Sequence, residues 1–93
     1  MVTAIILLRV ERERINEVAE KLAAMQAIAE VYSVGGRYDL VAIVRVRKNE
    51  ELADLVTQQM IGLQGIQQTE TLIAFRAYSR HDIEAAFSLG MDP

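Results

Sequence analysis

Hydrophobic positions along the chain follow two alternating rhythms. From Ala4 to Val10, "AIILLRV", β-branched and large aliphatic residues run almost unbroken over a length that suits a strand. From Arg12 the rhythm changes. Ile15, Val18, Ala19 and Leu22 fall at i, i+3, i+4 and i+7, with Glu17, Glu20 and Lys21 between them. This spacing predicts an amphipathic helix, because a 3.6-residue turn gathers these positions on one face. Ile28 to Val34 reads as a second strand and Leu40 to Val46, "LVAIVRV", as a third. Asn49 is the expected N-cap of a second helix whose stripe is Leu52, Leu55, Val56, Met60 and Leu63. Gln68 to Tyr78, "QTETLIAFRAY", is the fourth predicted strand. In the tail, Ser79 followed three residues later by Asp82 suggests a capping box. Ile83, Ala86 and Phe87 form a short stripe there, and Gly90 suits a helix C-cap.

The order is β-α-β followed by β-α-β, and the halves echo each other. "LLRVERE" precedes the first helix and "IVRVRKN" the second, while "MQAI" and "LQGI" close them. This order is the ferredoxin-like βαββαβ arrangement of the α+β class, an antiparallel four-stranded sheet with two helices on one face. A short C-terminal helix follows it. The domain is expected over residues 1–78 and a helical tail over residues 79–93.

Alternation within the strands also predicts assembly. Ile5 and Leu7 point to one side of the sheet, and Ala4, Ile6 and Leu8 to the other. Val41 and Ile43 oppose Ala42 and Val44, and Ile73 and Phe75 oppose Leu72 and Ala74. Both faces are apolar, yet two helices cover only one. Covering the other with a second copy gains roughly 25 cal/mol per Å² of apolar area, before the costs of association. A homodimer packed sheet to sheet is the expectation.

Composition narrows the class. The 93 residues suffice for one small domain, and without cysteine neither disulfides nor thiolate metal sites can reinforce it. Apolar residues are 52% of the chain, against a usual share of about 45–50% that also counts glycine. That surplus fits self-association. The formal net charge is −3, with acids and bases interspersed and no basic stripe, which argues against a direct grip on nucleic acid. "AIILL" after Met1 is too short to span a bilayer and has no basic flank, so no membrane role is expected and the cytoplasm is the expected location.

Candidate catalytic groups are few. His81 is the one histidine, inside the proposed capping turn, and reads as a solvated helix-start residue. Glu11, Glu13, Glu17 and Glu20 read as a solvated helix face, and Met25, Met60 and Leu63 as core. Arg9, Arg45 and Arg76 are the polar residues on the strands and read as edge or interface ion pairs. No cofactor is implied.

The connection "VGGRYD", Val34 to Asp39, carries more than a turn needs. Glycine supplies positive φ without steric cost. Beyond that, the N–H groups of Gly35 and Gly36 could form a nest for a carboxylate, with Arg37 as a second partner. Asp39 could take the ammonium group of the same molecule, and Tyr38 would offer a flat apolar wall with a polar tip. Thr69 and Thr71, two residues apart on one face of the last strand, could add hydroxyls.

"VGGRYD" before an apolar strand resembles the G-x-Y-D hairpin of the effector-binding domain in Lrp/AsnC transcription regulators. "GIQQTETLIAF" resembles that domain's Gly-hydrophobic-x-x-Thr-x-Thr entry to its last strand. The likeness covers Thr3 to about Tyr78 and both motifs fall in register. It implies a dimeric α/β barrel, with homodimers gathered into larger rings from tetramer to decamer. It also implies amino-acid-like effectors held in clefts between dimers, lined by Gly36, Tyr38 and Asp39 beside Gly35, with Thr69 and Thr71 contributed by a neighbouring chain. Regulators of this family carry an N-terminal helix-turn-helix domain. This sequence begins at the first strand, so a stand-alone module, possessing no direct nucleic-acid contact, is the expectation. The resulting reading is a non-catalytic effector-binding oligomer that modulates regulators of amino acid metabolism, with a full-length family regulator as a partner through mixed oligomers. The alternatives are a small cofactor-independent dimeric-barrel enzyme of the monooxygenase or isomerase type, or a purely structural oligomerisation adaptor.

Overall fold

The computed structural model describes residues 1–80. Strand β1 (Val2–Val10) leads through a 3-10 turn (Arg12–Arg14) into helix α1 (Ile15–Ala23). Strands β2 (Ile28–Ser33) and β3 (Leu40–Val46) follow, then helix α2 (Asn49–Asp54), a π-helical turn (Leu55–Gln59) and strand β4 (Ile66–Ile73). All pairings are antiparallel and the sheet order is β2-β3-β1-β4. This is the ferredoxin-like βαββαβ topology. The predicted C-terminal helix, with His81, Asp82, Ile83, Ala86, Phe87 and Gly90, lies outside the described residues.

The helix-covered face is the core. Ala4, Ile6 and Leu8 of β1 and Leu40, Ala42 and Val44 of β3 are fully buried under Val18, Leu22 and Leu55. Ile15, Ala19, Val56 and Leu63 pack at its margin, so both helical stripes read from the sequence are used. The second stripe is not wholly α-helical. Leu55 and Met60 are five residues apart, and the backbone closes a wider turn between them, the Met60 N–H donating to the Leu55 carbonyl at 2.8 Å. One extra residue in the turn brings both side chains onto the core face. The Thr57 hydroxyl donates to the Ala53 carbonyl at 2.7 Å in the same turn.

Strand β1 starts at Val2 rather than Ala4, and three further boundaries differ from the sequence reading. The N-cap of α2 is Lys48, not Asn49, because Glu51 reaches back and accepts the N–H groups of Arg47 and Lys48, both at 3.2 Å. Strand β2 stops at Ser33 rather than Val34, and the Val34 N–H instead closes the connection on the Asp39 carbonyl at 3.0 Å. Strand β4 runs from Ile66 to Ile73, not from Gln68 to Tyr78. Its last ladder pair is Ile73 with Ala4, near the start of β1; the Ala74 N–H still meets the Thr3 carbonyl at 2.9 Å, and only Val2 of β1 lies beyond. Arg76 is therefore not a strand residue, and Phe75 and Tyr78 are exposed.

Among the described residues nothing covers the opposite face. Ile5 stands between Ile43 of β3 and Leu72 of β4, and Leu7 stands opposite Val41 and Glu70. These apolar side chains are half-buried by one another and still meet solvent, with Leu72 and Tyr32 more open. Among the described residues no helix is long and apolar enough to cross a membrane.

Candidate functional site

In an antiparallel sheet of this order the end of β1 lies beside the start of β3, so the β2–β3 connection meets the residues after Leu8. The contact is made by Asp39. Its N–H donates to the Leu8 carbonyl at 2.8 Å, and its Oδ2 accepts the Val10 N–H at 2.8 Å. The β1–β3 ladder ends at Leu8 and Leu40, so the carboxylate supplies the acceptor that the next rung would have given Val10. Gly36 allows the chain to turn back, at φ 114°, a conformation that side chains rarely adopt. Gly35 has no positive φ and a side chain there would meet open space, so the turn itself explains only one of the two glycines.

On the other side of β1 the ladder to β4 slips. Arg9 pairs with Gln68 but Val10 with Ile66, which leaves Gln67 as an extra residue in a β-bulge. The bulge and the hairpin face each other across the end of β1. Between them lies a cavity of about 330 Å³ lined by Arg9, Val10, Arg12, Gly36, Arg37, Asp39 and Gln67. Three of the residues expected from the sequence, Gly36, Arg37 and Asp39, are thus brought together. Gly35 is next to them in the chain.

The rest are placed differently. Tyr38 donates its hydroxyl to Glu70 at 2.6 Å, and Glu70 shares the uncovered face with Leu7. Thr69 and Thr71 pair with Leu8 and Ile6, on the helix face. Thr69 lines a separate cavity of about 320 Å³ with Val56, Met60 and Leu63, and Thr71 a third beside Leu52, Ile73 and Phe75. Among the described residues the threonines line cavities other than the one under the hairpin. Arg9, Arg12 and Gln67 were missed as site residues; Arg9 lines the cavity and makes no ion pair among the described residues. Strand order alone could have found Arg9 and Arg12, because it sets the end of β1 against the hairpin. Gln67 is visible only through the bulge.

Tyr38 carries the clearest electrostatic signature of the hairpin. The hydrogen bond to Glu70 raises its pKa above the usual 10.0, burial and the charge of Glu70 adding to it, while Arg37 and Arg9 oppose the shift. Tyr32, bonded to Glu30 at 2.6 Å, is raised in the same way. A phenol held protonated in the folded chain contributes stability below its unfolded pKa, near 10, and loses it as pH rises through the folded value. Absorbance titration of tyrosinate should therefore contain components above pH 10, and Tyr38→Phe should remove one of them. If the phenylalanine variant keeps the whole late component, the Glu70 contact is not made in solution.

The Asp39 geometry separates two variants. Asp39→Ala should lower stability by about 1–2 kcal/mol, because the partly buried Val10 N–H loses its acceptor. Asp39→Asn keeps an oxygen acceptor and should melt within about 0.5 kcal/mol of the parent. Equal melting of the two variants in urea would mean the contact is not used.

The sequence profile of the Lrp/AsnC ligand binding domain matches residues 3–83. The chain belongs to this family. It is 35% identical over 78 residues to the HTH-type transcriptional regulator FL11 of Pyrococcus furiosus, covering 83% of this chain and 50% of that protein. It thus spans about half the length of the curated relatives it matches. The crystal structure of TTHA0845 from Thermus thermophilus is 51% identical with a TM-score of 0.81, covering 86% of this chain and 100% of that one. Transcriptional regulator NMB0573 of Neisseria meningitidis, solved as an L-Met complex, has a TM-score of 0.76 at 10% identity, over 85% of this chain and 53% of that one. That last likeness is one of fold alone.

Proposed function

We propose that this Lrp/AsnC ligand binding domain is a non-catalytic sensor of a small amino-acid-like effector, and that it passes the ligand level on through its assembly state. The observation that carries the reading is the polar cavity under the β2–β3 hairpin, where Gly36, Arg37 and Asp39 converge with the end of β1. It offers cationic groups for a carboxylate and a carboxylate for an ammonium group. The amino-acid class agrees with the L-Met bound by the fold relative NMB0573.

Assembly supplies what one chain lacks. The uncovered sheet face, centred on Ile5, calls for a second copy and so for the dimeric barrel. Contacts between dimers would let Thr69 and Thr71 of a neighbouring chain approach a hairpin they do not reach within their own. Larger rings, mixed oligomers with a full-length family regulator and a cytoplasmic location complete the proposal, in keeping with relatives that are transcriptional regulators. A ligand that prefers one assembly shifts the population toward it by its differential affinity.

Native mass spectrometry with and without the standard amino acids tests the proposal. At least one should change the distribution of oligomers, and Asp39→Asn should blunt that change while leaving the ligand-free distribution intact. A distribution indifferent to every amino acid would leave the adaptor reading in its place.

A further inference from the structure

We infer that the hairpin cavity selects a small dicarboxylate, with an acidic amino acid as the best fit. The inference rests on the hairpin cavity being the effector site, and it adds the class of effector. Three arginines, Arg9, Arg12 and Arg37, line the cavity with one acid, Asp39, so 3 − 1 leaves a surplus of two positive charges among its lining residues. The chain as a whole is acidic, with 13 acids to 10 bases, so this is a local concentration against the general trend.

Among the described residues the surplus is not neutralised: none of the three guanidiniums is in an ion pair, whereas Arg14, two residues from Arg12, is held by Glu11 at 3.2 Å and Glu17 at 3.4 Å. Glu70 accepts the Tyr38 hydroxyl and does not line the cavity. A guanidinium presents a planar fork of donors that matches a carboxylate in two parallel hydrogen bonds. Two carboxylates on one small molecule can occupy two such forks; a plain dicarboxylate cancels both charges, and an acidic amino acid cancels one while giving Asp39 an ammonium partner.

The remaining lining sharpens the choice. Asp39 uses Oδ2 on the Val10 N–H, which leaves Oδ1 without a partner among the described residues. An α-ammonium group fits that oxygen. Inorganic phosphate would satisfy the arginines but set an anion against Asp39. A neutral side chain would leave guanidiniums unpaired, and a basic one would add like charge to them. The Gln67 amide, turned out of the ladder by the bulge, adds a neutral donor and acceptor. A volume of about 330 Å³ suits a metabolite of this size and lies at the small end of ligand pockets.

Isothermal titration of the full chain at low salt, with L-glutamate, succinate, L-leucine, L-lysine and inorganic phosphate, tests the inference. L-glutamate should bind at least about tenfold more tightly than L-leucine and L-lysine, with succinate between them. Arg12→Gln and Arg37→Gln should each weaken L-glutamate about tenfold. L-leucine or L-lysine binding as tightly as L-glutamate would overturn the selectivity and leave the effector proposal standing. Phosphate binding more tightly than both carboxylates would overturn the ligand class. L-glutamate binding that ignores both arginine variants would overturn the location. Silence from every probe would overturn the selectivity, and the effector proposal would then stand or fall on the full set of standard amino acids in the mass spectra.

Discussion

Ile5→Asp should turn the protein into a folded monomer. Ile5 occupies the middle of the uncovered face, on a central strand, with Ile43 on one side and Leu72 on the other. In an isologous dimer the same patch meets itself, so one substitution enters the interface twice. A carboxylate placed there loses its hydration and gains no partner, at a cost of about 2–3 kcal/mol per copy. Two copies raise the dissociation constant by roughly three to four orders of magnitude. Among the described residues the same position is only half-buried and lies on the face opposite the helices, so the helix-side core of Ile6, Leu8 and Leu22 is untouched and the circular dichroism spectrum should be kept. Sedimentation velocity at micromolar concentration reads the outcome. A variant that sediments like its parent would show that the dimer uses some other surface. A parent already monomeric would remove the sheet-to-sheet barrel altogether.

That prediction draws on the part of the structure most legible in the sequence. The period-two pattern of "AIILL" and "LVAIV" places Ile5, Leu7, Val41 and Ile43 on one face and the buried residues on the other, and the register agrees at each pair. Alternation is set by backbone geometry, so it survives ignorance of everything else. The helix stripe Ile15, Val18, Ala19 and Leu22 was readable for the same reason.

Boundaries and the candidate site were less legible, because they depend on where partners run out. The fourth strand reads as continuing to Tyr78 since "IAFRAY" is good strand sequence, but its last partner is Ala4 and β1, which begins at Val2, could not have carried the pairing as far as Tyr78. The cap of α2 is decided by Glu51 reaching back over two backbone N–H groups, a longer-range choice than the propensity of Asn49. At the hairpin, the sequence marks Gly36, Arg37 and Asp39 by their unusual density, whereas Arg9 looks like any strand-end cation until the topology sets it beside them. Nothing in "GIQQTET" shows that Gln67 leaves the ladder. Asp39 also has a structural duty, the Val10 N–H, which its position in the sequence does not reveal.

The glycine of that same segment provides the second large effect. Gly65→Ala should destabilise the chain by about 2–4 kcal/mol, combining a positive-φ term with overpacking. Gly65 has φ 102°, a conformation costly for any residue with a Cβ. An added Cβ would lie 2.8 Å from Arg14 Cδ, 3.1 Å from Arg14 Cβ and 3.4 Å from Val18 Cγ2. Nor can the backbone move away freely, because the Gly65 carbonyl accepts the Glu11 N–H at 2.8 Å and so fixes the start of β4 against the end of β1. For a domain of this size the loss corresponds to a fall of roughly 10–25 °C in melting temperature. A double-mutant cycle divides the two causes. Arg14→Ala alone removes exposed ion pairs and an exposed hydrogen bond to Gln64, and should cost about 1 kcal/mol or less. Combined with Gly65→Ala it should recover the crowding against Arg14 Cδ and leave the part due to φ together with the contact to the Cβ that alanine keeps. A Gly65→Ala chain that melts with its parent would mean the turn has room to take another conformation. The cavity would be altered with it, since the Gln67 bulge is built two residues further along the same segment.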